Sequence, residues 1–143
     1  MKPVKLQPSN LTYSLARFSP TAGFPNPCED YIQSSITLDS IMIDNPTSTF
    51  LFKVKGESMQ PLIADGSIII VDKSLPVASG KIVLATIDGS FVVKRLIVDA
   101  KSGVAIFRSE NDAHEDIRIP IDEDNNWESA TVWGVVTGEL RKF

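Results

Sequence analysis

Cysteine and histidine are almost absent from this 143-residue sequence, which holds one of each, Cys28 and His114. A single cysteine cannot form an intrachain disulfide, and this favours a reducing, cytoplasmic environment. One cysteine and one histidine are too few for a recognisable zinc site. A Ser-His-Asp triad would have to use His114, and no nearby residue pattern supports that arrangement. The sequence therefore predicts neither a zinc site nor a histidine-based active site.

An excess of basic residues and long apolar runs are also lacking. Lysine and arginine number 14 against 18 aspartates and glutamates, a net charge of −4, so direct nucleic-acid binding is not expected. No apolar run approaches the length of a membrane span. Residues 1–20 are interrupted by Pro3 and Pro8, which argues against a secretory signal. We therefore expect no association with a membrane.

Two familiar catalytic and binding motifs are missing as well. A Gly-x-Ser-x-Gly elbow is excluded because Gln60 stands where its last glycine would be. The sequence also contains no Gly-x-x-x-x-Gly-Lys phosphate loop. With no zinc ligands and no phosphate loop, we expect no cofactor.

Short apolar and alternating segments, separated by turn residues, dominate the chain from Thr49 onward. Hydrophobic residues make up 43% of the sequence, enough for one domain with its own core. Asp88-Gly89, between two apolar runs, is the strongest hairpin signal. Seven strands are predicted, at 49–55, 67–71, 81–87, 91–98, 104–107, 117–121 and 131–136. This pattern predicts a compact, mostly β fold of several short strands with short helices.

Residues 1 to about 25 are predicted to form an arm, because four prolines fix φ and remove backbone donors there. Within it, Ala22 and Gly23 are small residues in a segment that Pro25 biases toward an extended conformation. Such a segment is either an ordinary flexible linker or a cut site for a protease. Beyond the arm, Asn26 as a cap and Pro27 in the first turn predict a short helix to about Gln33.

A second short helix is predicted from Leu38 to Ile43, ended by Asn45-Pro46. Trp127 and Trp133 are interpreted as core or interface residues. The acidic and asparagine-rich stretch 110–128 is predicted to be mostly a solvated loop around the 117–121 strand.

Ser58 lies just after a predicted strand, on a turn that Gly56 makes possible. Most serines in such positions are plain turn residues. A serine at a strand end is also a position from which a nucleophile can act, so the residue has two interpretations.

Lys94 lies within a predicted strand, where alternation places it on one face with Val92, Leu96 and Val98. The ordinary outcome for such a lysine is that its chain lies along the apolar surface and its charge reaches water. The alternative is desolvation, which disfavours the ammonium form and lowers the pKa. A neutral lysine beside a serine is a general base in Ser-Lys catalysis.

The motifs Gly56-Glu57-Ser58-Met59 and Val92-Val93-Lys94-Arg95-Leu96 occur in order, with Lys94 placed 36 residues after Ser58. Together with Ala22-Gly23 upstream, they resemble the self-cleaving Ser-Lys peptidases related to the LexA repressor, the peptidase S24 family. The resemblance covers roughly residues 20–137, and within the family it is nearest to UmuD. UmuD proteins commonly carry Cys-Gly at the cut, whereas this chain has the Ala-Gly of the repressors.

The resemblance implies a cleavable N-terminal arm, residues 1–22, and a β-rich Ser-Lys peptidase domain with a LexA-like fold, residues 23–143. It implies Ser58 as nucleophile, Lys94 as general base and a cut between Ala22 and Gly23. It further implies a bacterial cytoplasmic protein of the SOS response, whose cleavage a RecA–single-stranded-DNA filament promotes. The trimmed homodimer would then serve a Y-family DNA polymerase catalytic subunit in translesion synthesis.

Three other interpretations remain open from the residues. The chain could be a non-catalytic β-rich adaptor whose arm docks on a partner. It could be a LexA-like transcriptional regulator fragment that oligomerises through this body and takes its DNA binding from elsewhere. A signal peptidase uses the same pair of residues but needs a membrane anchor, for which this sequence has no apolar run.

Overall fold

A computed structural model describes residues 4–5, 11, 13–16, 32–122, 127 and 129–143. The predicted cut site, Ala22-Gly23, lies outside these residues, as does the predicted helix start at Pro27. The described elements, in chain order, are β1 (Val4–Lys5), β2 (Tyr13–Ala16), β3 (Ile32–Ile36), α1 (Leu38–Met42), a 3₁₀ turn (Pro46–Ser48), β4 (Thr49–Lys53), β5 (Ile68–Asp72), β6 (Ile82–Ile87), β7 (Ser90–Asp99), β8 (Val104–Arg108), β9 (Ile117–Pro120) and β10 (Ala130–Leu140).

The chain divides into two compact units, one of residues 1–6 and 45–143 and one of residues 7–44. The larger unit is an eight-stranded sheet in the order β1-β4-β5-β10-β6-β7-β8-β9. Every pairing in it is antiparallel. The prediction of a mostly β, LexA-like fold is confirmed. The predicted boundary between residues 22 and 23 stays a prediction.

All seven predicted strands are present, as β4 to β10, with ends that differ by a few residues. The hairpin at Asp88-Gly89 is confirmed and joins β6 to β7. Both turn residues have positive φ, 50° and 83°, as a two-residue hairpin of this kind requires. The largest difference is at β10, which continues to Leu140 because its second half pairs with β5 while its first half pairs with β6.

Two apolar clusters make up the core of the larger unit. The first consists of Phe52, Val54, Met59, Ile63, Ile69, Val71, Leu84 and Val93. The second consists of Val83, Ala85, Ile87, Leu96, Ala105, Phe107 and Ile119. Strand β7 contributes Val93 to the first and Leu96 to the second, and side chains three positions apart on a strand point to opposite faces. This part of β7 is therefore covered on both faces.

The smaller unit contains the antiparallel pair β2–β3 and the helix α1. The predicted helix ending at Gln33 is wrong over its last two residues, because Ile32 and Gln33 belong to strand β3. Pairing with β2 supplies β3 with backbone partners that outweigh the local helix signal. The second predicted helix is confirmed as α1, where Thr37 accepts a hydrogen bond from the Ser40 N–H as a cap.

Two segments of the predicted N-terminal arm form strands, β1 and β2. Backbone pairing places Val4 opposite Leu51 and Lys5 opposite Phe50, so β1 forms one edge of the large sheet. Among the residues that the structure describes, no helix has the length and apolar character needed to cross a membrane.

Candidate active site

The turn that carries Ser58 is anchored at its base by the chain just before it. The Val54 N–H donates to the Ser67 carbonyl at 2.8 Å, and the Gly66 N–H donates to the Val54 carbonyl at 2.9 Å. Gly56 has a φ of +105°, a conformation that side chains rarely adopt, and its N–H donates to Asp65 Oδ1 at 2.8 Å. The chain therefore leaves β4 in a direction that depends on this glycine.

The turn itself is closed by the Gln60 N–H, which donates to the Glu57 carbonyl at 3.1 Å. Met59 is 2% exposed and belongs to the first apolar cluster, so it fixes the turn to the core. Ser58, its neighbour, is half-buried.

Lys94 is buried on strand β7, with a side chain only 7% exposed. Burial lowers its pKa from the ordinary 10.5 because it disfavours the charged form, while the nearby Asp116 carboxylate opposes that shift by raising it. The Nζ atom donates a hydrogen bond of 2.9 Å to Ser109 Oγ. The amine of this lysine is therefore largely shielded from water, and desolvation is the interpretation that the geometry favours.

Ser109 is a polar partner of Lys94 that the sequence did not reveal. It follows directly after β8 and is 6% exposed. Its hydroxyl donates to the Glu115 carbonyl at 3.3 Å, and its N–H donates to Asp116 Oδ1 at 3.1 Å. The available signal was the register of β7 and β8, which places residues 94 and 109 near each other, and that register is set by tertiary pairing.

Ser58 and Lys94 line one cavity of about 180 Å³. The other lining residues are Val54, Lys55, Met59, Phe91, Val92 and Val93. No hydrogen bond joins Ser58 Oγ to Lys94 Nζ within the part of the chain that the structure describes. Catalytic hydrogen bonds are often long before the substrate binds. The two residues that the sequence singled out, Ser58 on a turn and Lys94 on a strand, thus share one cavity. The predicted cut site, Ala22-Gly23, lies outside the described residues.

Asn111 connects the serine turn to the segment that follows β8. Its N–H donates to the Ser58 carbonyl at 2.9 Å, and its side-chain Nδ2 donates to the Glu57 carbonyl at 3.0 Å. Between it and Ser109, Glu110 forms an ion pair with Arg95 of strand β7. Sequence reasoning placed this stretch in a solvated loop and missed its contact with Ser58.

Backbone donors are available beside Ser58. Among the hydrogen bonds of residues 32–122, none uses the N–H of Ser58 or of Met59. Two uncommitted N–H groups next to a serine hydroxyl can stabilise a developing negative charge on oxygen. Within residues 32–122, the site therefore combines a hydroxyl, a desolvated amine and two N–H groups without a partner, which are the parts that acyl transfer by a serine needs.

The profile of the Peptidase S24-like family matches residues 5–137 of this chain. Protein MucA of Salmonella typhimurium is 34% identical over 132 residues, which cover 92% of this chain and 84% of that protein. Protein ImpA of the same organism is 42% identical over 78 residues, 54% of each chain. The LexA repressor of Shewanella oneidensis is 30% identical over 121 residues, 84% of this chain and 55% of the repressor.

The mostly β fold and the family match together define the class of this protein, a serine peptidase. The chain belongs to the peptidase S24 family, and its resemblance to the UmuD-like members is confirmed. Membership confirms, for the family as a whole, the prediction of a self-cleaving serine peptidase of the SOS-response type.

Proposed function

We propose that Ser58 and Lys94 form a catalytic dyad that cuts this chain between Ala22 and Gly23. The observation that carries the proposal is the placement of a buried lysine, with a pKa lowered by desolvation, on the same cavity as Ser58. A lysine must lose its charge before it can act as a base, and burial favours that loss.

In the first half of the reaction, the neutral Lys94 amine removes the hydroxyl proton of Ser58. The Ser58 oxygen attacks the carbonyl carbon of Ala22, and the N–H groups of Ser58 and Met59 bind the oxyanion. The bond from Ala22 to the nitrogen of Gly23 breaks. The Lys94 ammonium returns its proton to that nitrogen, which becomes a new amino terminus.

In the second half, Lys94 removes a proton from a water molecule, and the resulting hydroxide attacks the ester between Ser58 and Ala22. Collapse of this intermediate breaks the ester bond, the Lys94 ammonium returns its proton to the Ser58 oxygen, and the carboxyl group of Ala22 is released and loses its proton to solvent. The small side chains of Ala22 and Gly23 suit an extended segment entering a narrow cavity. Docking of the arm over Lys94 removes further water and favours the neutral amine, so cleavage is slow until the arm is seated.

The dyad is tested by two single substitutions. Ser58→Ala and Lys94→Ala are both expected to abolish formation of the 23–143 product, whereas Lys53→Ala, which changes an exposed lysine of β4, leaves the rate unchanged. Gel analysis of the three purified proteins after alkaline incubation gives the result. Cleavage by Lys94→Ala at the wild-type rate would remove the lysine from the mechanism.

We propose further that a RecA–single-stranded-DNA filament promotes the cut, and that the trimmed protein, residues 23–143, forms a homodimer that serves a Y-family DNA polymerase in the bacterial cytoplasm. Family membership and the similarity to MucA and ImpA support this role. The test is cleavage at neutral pH with and without the filament, followed by co-purification of the trimmed protein with such a polymerase. Equal rates in both conditions would contradict promotion by the filament.

A further inference from the structure

The three residues that follow strand β8, Ser109, Glu110 and Asn111, contact both halves of the proposed dyad. We infer that this 109–111 segment positions the two catalytic groups: Ser109 orients the Lys94 amine, and Asn111 orients the peptide groups that bind the oxyanion. The inference rests on the proposed dyad. Neither residue makes or breaks a bond, so both are positioning residues.

The direction of the hydrogen bonds at Ser109 determines what it does to Lys94. Its single hydroxyl hydrogen is directed to the Glu115 carbonyl, at 3.3 Å, so the oxygen faces Lys94 as an acceptor. The amine therefore commits one N–H to Ser109, at 2.9 Å. In the neutral amine this contact restrains rotation about the Cε–Nζ bond and keeps the lone pair available for the Ser58 proton.

Asn111 acts on the turn that carries Ser58 through two consecutive carbonyls. It donates its N–H to the Ser58 carbonyl at 2.9 Å and its Nδ2 to the Glu57 carbonyl at 3.0 Å. In a trans peptide, the C=O of one residue and the N–H of the next lie in one plane and point in opposite directions. The two planes that Asn111 holds are therefore those that carry the free N–H groups of Ser58 and Met59.

Glu110 fixes the segment between these two contacts to strand β7. Its carboxylate pairs with Arg95, the residue next to Lys94, and Arg95 also donates to the Gly80 carbonyl at 2.7 Å. The segment is thus tied at consecutive residues to the base, to the strand of the base and to the turn of the nucleophile. A shift of this segment changes both catalytic groups together.

The role of Ser109 is tested first without cleavage, in the uncuttable Ser58→Ala protein. Adding Ser109→Ala removes an acceptor that stabilises the charged amine, so the Lys94 pKa measured by NMR is expected to fall. Ser109→Thr keeps the hydroxyl and is expected to restore the original value, and Ser90→Ala, an exposed serine of β7, serves as the matched control. An unchanged Lys94 pKa in the Ser109→Ala protein overturns the inference whether or not the wild type cuts itself.

The same substitutions are then made in the cuttable protein, and the rate is followed against pH. Ser109→Ala is expected to lower the maximal rate about tenfold, the loss of one oriented hydrogen bond, while moving the midpoint of the profile to lower pH. Ser109→Thr is expected to recover the rate. Equal losses for alanine and threonine, together with lowered stability of both, would show a structural role only and overturn the inference.

Asn111 is tested with Asn111→Ala and with Asn111→Asp, which has nearly the same shape but lacks the Nδ2 donor. Asn111→Ala is expected to lower the maximal rate about tenfold while leaving the midpoint of the pH profile in place, because the base is unaffected. Asn111→Asp is expected to lower the maximal rate at least as much, and its added carboxylate is expected to move the midpoint to higher pH. Asp112→Ala, which changes the exposed neighbouring residue, is the control. Either Asn111 variant cutting at the wild-type rate overturns the assignment, and failure of the wild-type protein to cut would instead contradict the dyad.

Discussion

At the scale of single residues, the proposed base, Lys94, is buried on a strand that is covered on both faces. The sequence alone left two outcomes for it, a charge that reaches water or a desolvated amine. The alternation of side chains along the strand placed Lys94 on one face with Val92, Leu96 and Val98. It could not show that this face packs into the second apolar cluster. Burial by distant strands is a tertiary property. The buried position of Lys94 favours the desolvated amine over a charge that reaches water.

The pH dependence of cleavage follows from that burial. The neutral fraction of Lys94 grows as pH rises through its pKa, so the rate is expected to rise with pH, with a midpoint below the ordinary lysine value of 10.5. Asp116 favours the charged amine, so Asp116→Asn is expected to move the midpoint to lower pH. Rates measured across a pH series check this, with Asp112→Asn as control. A midpoint that moves upward would contradict the assigned interaction.

Asp72 is a second buried charge, and its role is structural. Burial alone would raise its pKa, but hydrogen bonds from Asn45, Ser48 and both the N–H and the hydroxyl of Ser74, all within 2.9 Å, lower it from 3.8 to about 2. A carboxyl with a lowered pKa stabilises the fold above pH 3.8, and this stabilisation is lost as pH falls toward 2.

The wild-type protein is therefore expected to lose about 2 kcal/mol more unfolding free energy between pH 5 and pH 2 than Asp72→Asn does. Asp112→Asn, which alters an exposed carboxylate, is expected to follow the wild type. Urea unfolding at several pH values measures the difference. Parallel pH curves for the wild type and Asp72→Asn would contradict the assigned role of this carboxylate.

At the scale of elements, the strands from β4 onward were predictable and the first three were not. Apolar alternation and the Asp88-Gly89 turn specify the later strands locally. Strand β3 reads Ile32-Gln33-Ser34-Ser35-Ile36, with three consecutive polar residues between its two isoleucines, and β1 has only two residues. These strands depend on partners elsewhere in the chain, so local sequence patterns gave no signal for them.

The same distinction applies to the site. Ser58 and Lys94 could be identified from short motifs with a characteristic spacing. Ser109 and Asn111 could not, because their contacts depend on the register of β8 against β7 and on where the following loop packs. The two proposed catalytic residues each lie in a short sequence motif. The two proposed positioning residues are close to them in space but have no motif of their own.

The turn between β4 and Ser58 gives a prediction at this scale. Gly56 has a φ of +105° and open space around the position of a Cβ, so Gly56→Ala meets backbone strain and no steric clash. We expect a loss of stability of about 1 kcal/mol or more, together with slower cleavage, because the turn is reoriented. Thermal unfolding and cleavage rates measure both effects. Unchanged values for both would show that the conformation of Gly56 does not set the turn.

At the scale of the whole molecule, the proposed cut removes a strand from the large sheet. Strand β1 covers the free edge of β4, and it belongs to the first 22 residues. An exposed strand edge presents unpaired backbone groups, so cleavage changes the surface of the protein as well as its length.

Hydrogen exchange detects this change. The backbone amide of Leu51, which points toward β1, is expected to exchange faster in the 23–143 product than in the uncut Ser58→Ala protein. The amide of Phe50, which points toward β5, and those of β6, inside the sheet, stay protected in both. Equal exchange at Leu51 in the two proteins would show that β1 does not protect this edge.

The central claim, that the chain cuts itself with Ser58 and Lys94, is tested most directly by intact mass spectrometry of the purified wild-type protein. The account predicts that incubation toward pH 10 converts it into two fragments, residues 1–22 and residues 23–143, the second beginning with Gly23. Persistence of the full-length mass, under alkaline conditions and in the presence of a RecA filament, would contradict it.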